Sequence, residues 1–318
     1  MRGSVNWQIQ QVFALVNQIG QSKHAEKDGI RSELNTTGKA ATWHNMGKNM
    51  GIYSYNTADA YRDVWRSVLD HTKTEFGIKD VERLSGEHLR AFLDSKIEQG
   101  VAHATFMQYA AACEKLETAL NRYAEQMGTG LNYSFSGDIK NARLEAHKEL
   151  VKFEGSRAYA SPGRLIEAIA NDKHNLSAAM QHDGGARVHE ISLVKANQLL
   201  GMRSDSVTGE VKGFVTIQGK GGKENEVGLS HGTYERLEGY VKASGEFRID
   251  KDAYRADLKD AAQKTGQEYT GTHGLRWSFA QERFQEVQQH GLTYEQALAQ
   301  VSKEMGHERS DITEHYLK

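Results

Sequence analysis

Through its first 127 residues the sequence sets apolar side chains three and four positions apart, in one run after another, and that period belongs to the α-helix rather than the strand. Trp7, Ile9, Val12, Phe13, Val16 and Ile19 mark a helix over residues 6–20, and Tyr61, Val64, Trp65, Val68 and Leu69 mark a second between Thr57 and Phe76. Ser85 has the chemistry of an N-cap for a third, carried by Leu89, Phe92, Leu93 and Ile97 and stopped at Gly100. Phe106, Tyr109, Cys113, Leu116 and Leu120 line another from His103 to Met127. Helices that each carry one apolar stripe bury it against one another, so a small bundle of about four is expected before residue 128.

The pattern then changes. Gly128 to Gly137 is rich in Gly, Ser, Thr and Asn, and the single proline of the chain, Pro162, follows Ser161 at a helix start. A domain boundary is expected between them: a helical domain over 1–130, a linker over 131–158 and a second domain over 159–318. In the second domain, Gly163 to Met180 and the surroundings of Arg187 read as helical. Val211 to Gln218 and Glu224 to Leu229 read as two strands joined through Gly219-Lys220-Gly221-Gly222, a hairpin signal. A polar, helix-like stretch lies around Gln285 to Val301. The expected fold is mainly α with a small β-sheet, and 318 residues at 38% hydrophobic content leave room for two ordinary cores.

Composition excludes several classes. No run approaches the ~18 consecutive apolar residues of a membrane span, and the first residues lack the succession of a signal peptide, so a cytoplasmic protein is expected. One cysteine, Cys113, leaves no partner for an internal disulfide or a Cys-based zinc site, and its helical spacing with Ala110, Leu116 and Ala119 marks a buried thiol. The net charge of −2 gives no overall basic excess for nucleic acid, so any such affinity has to be local. From Leu34 to Ala58 there is no acidic residue, while Lys39, Trp43, His44, Lys48, Tyr53 and Tyr55 are present. That stretch suits phosphate contact with aromatic packing, or equally a solvated helix face with its aromatics turned to a core.

The carboxy-terminal half carries an ordered set of chemistry-bearing residues: Arg187 with Glu190 one turn later, Lys220 in the hairpin with Lys223 beside it, His273-Gly-Leu-Arg276, and His307 nine positions before Tyr316. This order and these settings resemble the catalytic domain of the tyrosine recombinases, the phage-integrase family of site-specific DNA recombinases. The resemblance covers roughly residues 155–318 and, more loosely, 40–126. The sequence departs from the pattern in the longer segment between Arg276 and His307, and only Leu317 and Lys318 follow the tyrosine.

The resemblance implies a helical core-binding domain and an α+β catalytic domain that clamp duplex DNA. Tyr316 would form a 3′-phosphotyrosyl link, which stores the phosphodiester energy for religation without ATP, metal or other cofactor. Arg187 and Arg276 would hold the non-bridging oxygens, since planar guanidinium groups meet two oxygens at once. Lys220, or its neighbour Lys223, would protonate the leaving 5′-oxygen. His273 would take the tyrosine proton or hold a phosphate oxygen, His307 would donate to the scissile phosphate, and Glu190 would orient a clamp side chain. Expected partners are double-stranded DNA with specific recombination sites, further copies of the chain in a tetramer, and accessory bending or directionality factors. The interprotomer contact is expected from the tyrosine segment or from Gln285 to Val301. The long segment before His307 suits an integrase of a mobile element, with an Xer-type dimer resolvase and a type IB topoisomerase as alternatives. Two others are a non-catalytic architectural protein of the same fold and a metal-dependent nuclease. The last would use His182, Asp183, His189 and Glu190, although no H-E-x-x-H spacing is present.

Overall fold

A computed structural model describes residues 1, 3–219, 224–307 and 310–318, without the side chains of Trp43 and His44. The chain divides into two units, Met1–Phe153 and Glu154–Lys318. The first is all helical: α1 (Val5–Ala14), α2 (Lys23–Thr36), α3 (Trp43–Asn49), α4 (Tyr55–Phe76), α5 (Gly86–Glu98), α6 (His103–Met127) and α7 (Ser136–Glu149). Trp65 of α4 is fully buried and donates through Nε1 to Ala112 O at 2.8 Å. Cys113 lies buried beside it in α6, and burial pushes its thiol up. Ser85 caps α5 in a reciprocal box with His88, and Gly77 and Gly128 end α4 and α6 in the left-handed region that a Cβ disfavours.

Three differences from the sequence expectation have physical causes. The first helix stops at Ala14, because residues 16–18 pair with another segment: Ile52 N donates to Val16 O at 2.7 Å and Gln18 N to Ile52 O at 2.8 Å. Val16 is still buried, so its spacing reports burial but not helix. The expected linker 131–158 holds α7, whose Ile139, Ala142 and Ala146 enter the first core. The buried Glu117 of α6 accepts from Phe135 N at 2.5 Å and Ser136 Oγ at 3.1 Å, placing a carboxylate at the start of α7 where the helix dipole favours it. Helices α2 and α3 enclose a small separate cluster of Ile30, Leu34, Met46 and Met50.

The second unit runs α8 (Pro162–Glu167), α9 (Asp172–Gly184), α10 (Val188–Ile191), β1 (Leu193–Lys195), β2 (Leu199–Ser204), β3 (Val211–Gln218), β4 (Glu224–Leu229), α11 (His231–Ser244), β5 (Glu246–Arg248), α12 (Lys251–Lys264), α13 (Thr272–Gln289), α14 (Tyr294–Glu304) and α15 (Ser310–Glu314). A 3₁₀ turn, His315–Leu317, follows. The helix expected from Gly163 to Met180 is two, because Asn171 caps a new start by accepting from His174 N at 3.1 Å. Strands β2, β3 and β4 form an antiparallel sheet and β1 pairs with β5. In the β3–β4 hairpin Val215 faces Val227 and Gln218 faces Glu224. Val215, Ile217, Val227 and Leu229 share one core with Leu176 and Met180 of α9 and Leu237 of α11. The polar stretch before His307 is the end of α13 and α14, the latter begun by a Thr293–Gln296 capping box. None of the described helices is long and apolar enough to cross a membrane.

Candidate active site

Arg187 sits where α9 turns into α10. Gly185 makes the turn at φ +61°, and a Cβ there would lie 2.3 Å from Phe279 Cδ1, so the close pass of α13 and the left-handed backbone both require glycine. Arg187 then caps α10. Its backbone N–H donates to Glu190 Oε2 and its Nη1 to Glu190 Oε1, each at 2.7 Å. Glu190 is almost wholly enclosed, with 1% of its side chain exposed, whereas Arg187 keeps 29%. The glutamate fixes one edge of the guanidinium and leaves the rest reachable.

The first turn of α13 supplies His273 and Arg276. Arg276 is 1% exposed and donates through Nη1 to Gly185 O, through Nη2 to Met305 O at 2.7 Å and to His307 Nε2 at 2.9 Å. Its Nε–H is buried without a hydrogen-bond partner among the described residues. Burial, and then the nearby Arg187, push Arg276 down to about 10, so it stays charged at neutral pH. An arginine can only donate, so His307 Nε2 accepts and the ring proton lies on Nδ1. Nδ1 is 2.7 Å from Thr313 Oγ1, which is 2.7 Å from Ser302 Oγ, so a buried hydroxyl pair fixes the tautomer. Burial first, then Arg276 and Arg187, hold His307 down at about 3 and His273 at about 4. Both rings are neutral through the physiological range.

Tyr316 is 8% exposed and its hydroxyl lies 2.8 Å from His273 Nε2. Its ring centre is 5.0 Å from Trp277, 5.5 Å from His307 and 5.6 Å from His273. Gln281 Nε2 donates to the carbonyls of Tyr316 and Lys318, each at 3.0 Å. His273, Trp277 and Gln281 are therefore one stripe of α13 at intervals of four, facing the tyrosine turn. Sequence reasoning missed Trp277, Gln281, Thr313 and Ser302, and of these only the α13 stripe left a periodic signal.

The structure thus gathers Arg187, Glu190, His273, Arg276, His307 and Tyr316, drawn from α10, α13, the loop after α14 and the final turn. Lys220 and its competitor Lys223 lie outside the described residues, although the strands β3 and β4 that present them have the expected bounds. A recess of about 60 Å³ at the root of this hairpin is lined by Arg187, Glu190, Gly219, Asn225 and Met305. A roomier cleft of about 430 Å³, lined by Arg203, Glu224, Glu226 and Glu304, touches none of the site residues. Lys39 and Lys48, in the first unit, are exposed beside and within α3, which also carries Trp43 and His44. His182 lies 3.0 Å from Glu282, Asp183 accepts from Ser230 N at 3.0 Å, and Glu190 is taken by Arg187. Among the described residues no three His, Cys, Asp or Glu side chains converge on a metal position.

Two neighbouring arginines, a neutral histidine on a tyrosine hydroxyl and a second histidine braced beside it form a constellation suited to attack on an anionic ester. No protein-family model and no curated protein matches the sequence. Among solved structures the chain is similar, over nearly its full length, to site-specific recombinases. It matches the XerH site-specific recombinase bound to difH substrate in a pre-cleavage complex with a TM-score of 0.62 at 16% identity, covering 98% of this chain and 92% of that one. The post-cleavage XerH complex gives 0.60 at 15%, with coverage of 99% and 91%. The Tn1549 transposon integrase in complex with circular intermediate DNA gives 0.55 at 12%, with coverage of 92% and 95%. The fold is that of the tyrosine recombinases, mainly α with small sheets, as the ordered motif implied.

Proposed function

We propose that the chain is a site-specific DNA recombinase that cuts and rejoins strands through a 3′-phosphotyrosyl intermediate, integrating or excising a mobile element. The observation that carries this reading is the Tyr316 hydroxyl on the neutral His273, with Arg276, Arg187 and His307 packed around it. Tyr316 Oη attacks the scissile phosphorus as His273 Nε2 takes its proton. The two guanidinium groups neutralise the charge gathering on the non-bridging oxygens, a preorganised electrostatic contribution of about 3–4 kcal/mol per donor. The bond to the 5′-oxygen breaks, and Lys220 supplies the proton that this poor leaving group needs. Attack by a second 5′-hydroxyl reverses each step and releases the tyrosine.

The DNA complexes of XerH and of the Tn1549 integrase support duplex DNA as the substrate. Lys39, Trp43, His44 and Lys48 would contribute phosphate and groove contacts from the first unit. Two recombination sites and four copies of the chain, with accessory factors, would make the working assembly, located at the nucleoid in the cytoplasm.

The test is a nicked suicide duplex taken from DNA flanking the gene, incubated with excess chelator. Wild-type protein is expected to trap a covalent adduct, and Tyr316→Phe to bind without forming one. Adduct from Tyr316→Phe removes the tyrosine from the mechanism, and loss of wild-type cleavage with chelator favours a metal nuclease. A two-site plasmid then separates the relatives: strand exchange marks a recombinase, relaxation alone a topoisomerase, and binding without adduct an architectural protein.

A further inference from the structure

The bend that carries Arg187 is pinned at three consecutive residues. Arg276 holds Gly185 O and Glu190 holds Arg187 N, while Ala186 O between them accepts from Gln181 Nε2 at 3.0 Å. Gln181 belongs to α9 and is 1% exposed. Its other amide atom, Oε1, accepts the hydroxyl of Tyr254 at 2.8 Å, and Tyr254, from α12, is fully buried. A buried carbonyl at Ala186 demands the NH₂ end of the amide, and the phenolic proton satisfies the oxygen end, so the pair has one orientation. Methionine and phenylalanine would fill the same space and leave one group, the Ala186 carbonyl, without its donor, at about 1–3 kcal/mol. The polar pair adds control over a single peptide plane, the one that sets the direction in which the Arg187 side chain leaves the backbone.

We propose that Gln181, oriented by Tyr254, is a positioning residue for Arg187 and acts through the Ala186 carbonyl. The inference rests on the strand-transfer reading above. Without this hydrogen bond the 186–187 peptide is held only at its N–H, by Glu190, and tilts about that bond, so the guanidinium, with 29% of its side chain exposed and one carboxylate partner, shifts relative to Arg276.

The experiment compares wild type, Gln181→Met, Tyr254→Phe, Arg187→Ala and each double variant with Arg187→Ala. Single-turnover adduct formation is measured on nicked DNA bearing either the ordinary phosphate or a methylphosphonate at the scissile position, alongside DNA affinity and Tm. The Met and Phe variants are expected to lose about 10- to 100-fold in rate at saturating DNA, the scale of a misplacement near 1 Å, with affinity unchanged. Combined with Arg187→Ala they should add no further loss, since both act through one group. On the methylphosphonate, which carries no negative charge for Arg187 to meet, their defect should largely vanish, as should that of Arg187→Ala.

Additive losses, equal losses on the two substrates, or wild-type rates on ordinary DNA would each overturn the inference. Should Gln181→Met fail to fold, Tyr254→Phe, which lacks a single oxygen, decides. If wild type itself forms no adduct, the proposed function fails and takes the inference with it. If wild type cleaves and these variants match it, only the inference fails.

Discussion

Replacing Arg276 by methionine should separate function from folding. The side chain is 1% exposed, and its pKa is pushed from 12.5 down to about 10, mostly by burial. At about 1.36 kcal/mol per unit, the fold bears roughly 3 kcal/mol for keeping this guanidinium charged. The sign follows from the direction: a base with a lowered pKa binds its proton less tightly folded than unfolded, so the burden is present at neutral pH and lifts only above about pH 10. Arg276→Met removes that burden and leaves three acceptors without their donor: the buried Gly185 O and Met305 O, at about 1–3 kcal/mol each, and the part-buried Nε2 of His307, which can turn to water. The apolar stem of methionine recovers a little more. The opposing contributions leave a net change within about 2 kcal/mol, or about 4–8 °C in Tm for a unit of this size. Breaking a stabilising buried ion pair would instead cost about 3–5 kcal/mol. Adduct formation should meanwhile fall by about 10²–10³, the loss typical of one preorganised donor. Calorimetry and single-turnover cleavage on the same preparation make the comparison. A variant that is unfolded at room temperature, or one that cleaves within tenfold of wild type, refutes the reasoning.

Two further outcomes follow from the same geometry. His273 can accept the Tyr316 proton only while neutral, and its pKa is held down at about 4, so cleavage at subsaturating DNA should stay level from pH 8 to about pH 5 and fall only near pH 4; a limb near the ordinary ~6.5 would show that the ring is not the base, and in Arg276→Met the limb should move upward because one depressing charge is gone. Sulfur at the bridging 5′ position makes a leaving group with a conjugate acid near ~8.5 that needs no proton. Lys220→Ala should then cleave the sulfur substrate almost as well as wild type while Arg187→Ala stays impaired on both; rescue of Lys223→Ala would move the acid role there, and rescue of neither lysine would place the proton source elsewhere.

The elements legible in the sequence were the long ones with caps. Helices α4 and α5 announced themselves because each buries a full apolar stripe between a serine cap and a glycine stop, and α6 because its stripe runs unbroken to Gly128 although Ala102 offers no side-chain cap. The β3–β4 hairpin did so because a Gly-rich turn separates two strand-like runs. Helix α2 did not, since only Ile30 and Leu34 of its residues are buried. Helix α7 hid behind the stretch of Gly, Ser and Asn that precedes it, because its starting brace, Glu117, belongs to α6 and no local pattern connects the two. Strands β1 and β5 have three residues each, too few to show alternation.

In the site, the residues of the ordered motif were readable and those that brace them were not. Arg187, Arg276, His307 and Tyr316 could be read from residue type and order, whereas Gln181, Gln281, Thr313 and Ser302 act by gripping backbone carbonyls or one another. A contact to a main-chain oxygen leaves no trace in residue type at its far end, so no spacing rule can find it. His307 marks the boundary between the two kinds of knowledge. The motif assigns it a hydrogen bond donated to phosphate, yet with Arg276 on Nε2 and Thr313 on Nδ1 its outward nitrogen is an acceptor at rest. For His307 to donate from Nε2, Arg276 must release that nitrogen and the ring proton must move there from Nδ1, with the Thr313 hydroxyl turning to donate to Nδ1, so the ring stays neutral. Under the proposed function, substrate binding and the tautomer change of His307 would be one rearrangement, centred on a guanidinium that braces Gly185, Met305 and His307 together.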